Sequence, residues 1–99
     1  MIIRVTAENI SKGAIGSASA CPLALAFHAA GFDVSVGTTT VDFYNHLAEH
    51  VTELPLPAVA QDFQKLFDDG DTVAPFEFEM PELTAGVLPA THYRSAAVV

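Results

Sequence analysis

The chain opens on an alternation: Ile3 and Val5 are apolar, Arg4 and Thr6 polar, the two-residue period of a strand with one buried face. Residues 7–20 are small and polar, with Gly13, Gly16, Ser17 and Ser19 among them. They predict a loop that holds one helical turn around Asn9 to Lys12. Cys21-Pro22 then predicts a helix start, because a proline at the first helical position gives up an N–H with no partner inside the helix. Leu23, Ala26, Phe27 and Ala30 share one face at helical spacing, and Gly31 predicts the left-handed residue that ends the helix.

Phe32, Val34 and Val36 alternate with Asp33 and Ser35 and predict a second strand. Gly37 and the threonines after it turn the chain, and Val41 and Phe43 mark a third strand. Residues 45–50 leave two readings open, a short helix or a hairpin loop leading to a fourth strand over 51–54. Pro55 and Pro57 punctuate the approach to a second main helix with the apolar stripe Val59, Phe63, Leu66 and Phe67, ended at Gly70. Phe76, Phe78 and Met80 against Glu77 and Glu79 form the clearest strand, and Pro75 at its start suits an edge. No period follows Met80.

The order β-α-β-β-(β)-α-β predicts the α+β class. The expected architecture is a small single sheet of four to five strands with two helices packed on one face. The first β-α-β connection is long enough to make its strands parallel. Residues 1–82 are expected to form one domain, and 83–99 an irregular C-terminal tail.

Ninety-nine residues leave room for one domain. Twelve acidic residues against four basic ones give a net charge of −8. Arg4, Lys12, Lys65 and Arg94 are scattered, so phosphate-backbone binding has no basic cluster to use, and direct nucleic-acid binding is not expected. The same charge disfavours anionic membrane surfaces, and the apolar stretch from Ala20 to Phe27 is too short to span a bilayer. No secretory signal precedes it, and a cytoplasmic protein is the simplest reading. With Cys21 as the only cysteine, neither an internal disulfide nor a cysteine-based zinc cluster can form.

Ile10 and Gly13, then Cys21-Pro22-Leu23-Ala24-Leu25-Ala26 and Phe32-Asp33-Val34-Ser35-Val36-Gly37, resemble small uncharacterised proteins of actinobacterial phages and their hosts. Leu56-Pro57, Phe63, Phe67-Asp68, Gly70 and Pro75-Phe76-Glu77-Phe78 extend the resemblance over roughly residues 1–80. It implies an intracellular phage or bacterial setting. It carries over no catalytic residue.

Four constellations are candidates for chemistry. Cys21 at a helix N-terminus is placed where the helix dipole favours a thiolate, although burial would make it a capping and packing residue. His46-Leu47-Ala48-Glu49-His50 fits H-x-x-E-H, which on a helix would put both imidazoles on one face toward a zinc ion; in a loop it is a solvated turn. Asp68-Asp69-Gly70-Asp71 lacks the ligand spacing of an EF-hand and reads as a helix end. Ser17 and Ser19 lack a nucleophile elbow, and Ser19 is expected to help cap the helix that follows.

Glu77, Glu79 and Glu82 make an acidic stripe on the outer side of the last strand, the first two about 7 Å apart by strand rise. They are the expected binding residues, with 83–99 as a second contact segment. The reading is thus a small acidic, non-catalytic protein-interaction module, phage-type, that docks on a host or phage protein with no metal or cofactor. Self-association through a strand edge is a further interaction open to it. The alternatives are an acidic nucleic-acid mimic that blocks a DNA-binding protein, and a thiol or metal-dependent enzyme.

Overall fold

The computed structural model describes residues 1–46 and 49–81. Five strands and three helices follow in the order β1 (Ile2–Val5), α1 (Ala7–Lys12), α2 (Pro22–Ala29), β2 (Val34–Val36), β3 (Thr40–Asn45), β4 (His50–Pro55), α3 (Ala58–Asp68) and β5 (Phe76–Glu79). The class is α+β. The strands form two sheets, however, where a single sheet is expected from the sequence. β1 pairs with β5, and β2, β3 and β4 form an antiparallel meander. β1 and β5 are antiparallel, with Ile3 opposite Phe78 and Val5 opposite Phe76 on the buried side. The strand expected to lie parallel to β2 therefore takes the other end of the described chain as its neighbour.

The reason lies in α2. Pro22, Leu23, Ala24, Ala26 and Phe27 are all buried, so this helix is apolar round most of its circumference rather than along one stripe. Such a helix needs cover on more than one side. It packs against β1 of one sheet and β2 of the other. The Phe27 ring meets Phe43 of β3 edge-on at 5.4 Å and Phe78 of β5 at 5.9 Å, joining the two sheets through one side chain. Ala30, expected on the buried face, is the exposed C-cap.

Both longer helices end as their glycines predict. Gly31 takes φ +98°, Gly31 N–H donates to His28 O and Phe32 N–H to Phe27 O. Gly70 takes φ +82°, with Gly70 N–H to Phe67 O and Asp71 N–H to Leu66 O. Each pair of bonds is a Schellman motif, which needs a left-handed residue. Of the two readings for this stretch, the strand pairing is the one formed on either side of it: Asn45 pairs with His50 across β3 and β4.

Candidate functional site

α3 presents two faces. Ala60, Phe63 and Gln64 are buried, and Phe67 is half-buried. Val59 and Leu66, expected in the buried stripe, point outward at 51% and 46% exposure. They look onto a groove of about 360 Å³ between α3 and the approach to β5, lined also by Asp62, Val73, Pro75 and Phe76. Phe63 and Phe76 stack at 4.7 Å and form its floor. The chain turns into this groove at the α3 Schellman motif, and Pro75 fixes the extended approach to β5.

The alternation in β5 places Glu77 and Glu79 on the outer side as expected, opposite Arg4 and Ile2. Each carboxylate already holds a cation there. Arg4 Nε donates to Glu77 Oε2 at 2.7 Å, and the Met1 amino group donates to Glu79 Oε2 at 2.9 Å. Both pairs are solvated and contribute little to stability. Glu82 and the 83–99 segment lie outside the described residues.

Cys21 is fully buried. Its Sγ accepts a 3.5 Å hydrogen bond from the Ala24 N–H, so it is the N-cap of α2. Desolvation pushes its pKa up, outweighing the backbone N–H groups that favour the thiolate, and the charge of Asp68 adds to the rise. A buried, protonated thiol is a poor nucleophile. The expected cap Ser19 is exposed; Ser17 Oγ instead accepts from the Ala20 N–H at 3.1 Å in the preceding turn.

His46 and His50 flank the β3–β4 hairpin and share no helical face. His46 Nε2 bonds the Asp33 carboxylate and its ring stacks on Tyr44, while His50 Nε2 lies 3.2 Å from Thr52 Oγ1. The helical zinc geometry of H-x-x-E-H is not formed. Among the described residues no three His, Cys, Asp or Glu side chains are placed to hold a metal ion together. Asp68 is engaged at the α3 end: its Oδ1 accepts from Gly16 N–H and its Oδ2 from Gln64 Nε2, both at 3.1 Å.

The sequence reading missed two features of α3, the outward turn of Val59 and Leu66 and the burial of Gln64. The signal was present. Ala60, Phe63, Gln64 and Phe67 stand at i, i+3, i+4 and i+7, a complete helical stripe with one polar member. No helix among the described residues is long and apolar enough to cross a membrane. Compared with known proteins, the chain matches no family model, no curated protein and no solved structure.

Proposed function

We propose that the protein acts by docking, without turnover, through the α3–β5 groove. The partner is a protein segment with apolar side chains flanked by basic ones, on a host or phage protein. The observation that supports this is the outward placement of Val59 and Leu66 above the stacked Phe63 and Phe76. Adjacent large apolar groups on a small surface are used for contact more often than scattered ones. Charge sets the partner's polarity. Asp62 lies in the groove, Asp69, Asp71 and Glu77 flank it in the chain, and the protein carries −8 overall. Complementary charge speeds encounter and rejects acidic competitors.

The mimic reading has less support, because Glu77 and Glu79 are each matched to a cation. The thiol reading is weakened by the burial of Cys21.

Selection from a random peptide display library tests the proposal. The expected winners carry apolar residues with Lys or Arg on either side, and they lose binding to a Val59→Gln/Leu66→Gln variant. Enrichment of acidic peptides, or binding indifferent to that variant, would overturn the assignment. So would a concentration-dependent dimer that the same variant dissolves, since the groove would then belong to a second copy.

A further inference from the structure

A sheet edge offers backbone N–H and C=O groups to any strand that comes alongside, and folds guard such edges with prolines, charges or covering segments. Met1 and Met80 exchange both backbone hydrogen bonds, at 2.7 and 2.8 Å. The alternation of an antiparallel ladder then turns the N–H and C=O groups of Ile3 and Val5 toward β5 and those of Ile2 and Arg4 away from it. By the same alternation Glu77 and Glu79, with Pro75 before and Pro81 after them, lie along the outer edge of β5 and close it. On the meander, Pro55 and Glu53 guard the outer edge of β4, since Leu56 N–H turns inward to Thr39 O. Val36 N–H, on the outer edge of β2, donates to Ala18 O at 2.8 Å. The outer edge of β1 has neither proline nor acid. Among the described residues no backbone bond uses the outward groups of Ile2 and Arg4. Thr6 N–H is given to Asn9 Oδ1, so the open edge ends at Arg4.

A hollow of about 560 Å³ runs beside this edge, between β1, the start of α1 and the end of α2. Ala26, Ala29 and Ala30 form its α2 side, and side chains this short leave width for a strand at sheet spacing. The charge here is balanced. Arg4 pairs with Glu77, the Met1 amino group with Glu79 and Lys12 with Glu8, whereas the molecule as a whole carries −8. Two copies of an acidic protein repel least where neither presents net charge.

We propose that two copies of this chain pair through β1, antiparallel about a twofold axis at Ile3, and form one continuous sheet in the order β5-β1-β1-β5. The edge is complementary to itself. Its open residues stand two apart, so the twofold sets Ile2 opposite Arg4 of the second copy, and each free N–H meets a free C=O. Ile2 is 48% exposed, and the aliphatic stem of the facing arginine covers it. A register with Arg4 opposite Arg4 would face like charges and would need the Thr6 N–H that Asn9 holds. The hollow shares no lining residue with the α3–β5 groove, so the pairing stands whether or not that groove takes a peptide.

The test is sedimentation velocity and amide-resolved NMR of the full chain from about 20 μM to 1 mM, a range that spans weak association through a small interface. The expected result is a dimer whose fraction grows with concentration, and hydrogen-exchange protection of the Ile2 and Arg4 amides that grows in step. In a mixture of labelled and unlabelled copies, a nuclear Overhauser contact between the two Ile3 Hα atoms reads the register, because a non-hydrogen-bonded pair brings them close. Arg4→Pro removes an outward N–H and no β1–β5 bond. It should weaken the dimer by about tenfold or more while the Phe76 and Phe78 amides keep their protection. Ala29→Glu, at an exposed position of α2, sets a charge in the hollow and should also weaken the dimer; it supplies the test if Arg4→Pro does not fold. Val59→Gln/Leu66→Gln should leave the dimer unchanged. A chain still monomeric at about 1 mM would sink the proposal. So would a dimer indifferent to both edge substitutions, or one dissolved by the groove variant. Protection of the Ile2 and Arg4 amides in a monomer would give the edge to residues 82–99 of the same chain and overturn it as well.

Discussion

A thiol at a helix N-terminus is pulled two ways, and Cys21 shows which pull wins. The Ala24 N–H favours the thiolate, but removal from water favours the neutral form more, and the pKa rises above its ordinary 9.0. The sign of the linkage follows. The unfolded chain releases the proton near its ordinary value while the folded chain keeps it, so this group's contribution is complete below pH 9 and declines as pH rises further. Tyrosines and lysines titrate in the same window, so the informative quantity is the difference between wild type and Cys21→Ser in denaturant melts from pH 7 to 10.5. Wild type should lose stability faster. The native thiol should also react with a disulfide reagent far more slowly than the urea-unfolded chain. Glu49 is a second single-residue lever. It sits at φ +51° in the β3–β4 hairpin, a region that side chains with a Cβ occupy at a cost. Glu49→Gly relieves that strain but loosens the unfolded chain, and the net expected gain is about 0.5 kcal/mol, visible as a higher melting temperature.

At α3 the same apolar character divides into two jobs. Phe63 holds the helix down by stacking on Phe76 of β5, with Phe67 one turn along the same helix beside it at 6.3 Å, whereas Val59 and Leu66 stay about half exposed. Val59→Gln/Leu66→Gln should therefore leave stability within about 0.5 kcal/mol of wild type, the usual range for surface changes. Phe27→Ala should cost about 3–5 kcal/mol, because it empties the contact that joins both sheets to α2. Thermal melts of the two variants make the comparison. Element boundaries were largely readable in the sequence, since glycines at 31 and 70 and alternation at 76–80 act locally. The partition into two sheets was not. It depends on which distant strand β1 meets, and the one local hint was that the unbroken apolar run Pro22 to Phe27, Leu25 included, leaves α2 with no polar side until His28. The groove was hidden for a related reason: Val59, Phe63, Leu66 and Ala60, Phe63, Gln64, Phe67 are both helical stripes. Hydropathy prefers the first, but packing beneath Phe76 selected the second.

Charge is distributed so that folding and recognition should respond to salt in opposite directions. With twelve acidic residues against four basic ones, compaction brings like charges together. One case is local: Asp42 and Glu53 are directly opposite on β3 and β4, and neither pairs with a cation among the described residues. Like charges facing each other across a sheet are destabilising. The exposed pair Arg4–Glu77 recovers little of this. Raising sodium chloride from low concentration to about 0.5 M shrinks the screening length well below 10 Å. The melting temperature should then rise by a few degrees, which for a domain of this size corresponds to about 1 kcal/mol or less. Glu53→Thr should reach part of that gain without salt and show a smaller further rise. Peptides selected on the α3–β5 groove should bind more weakly over the same range, because screening removes the attraction between their basic flanks and Asp62. A melting temperature that falls with salt would mean that the few ion pairs outweigh the repulsion. Peptide binding indifferent to salt would mean that the groove selects by shape and apolar contact alone.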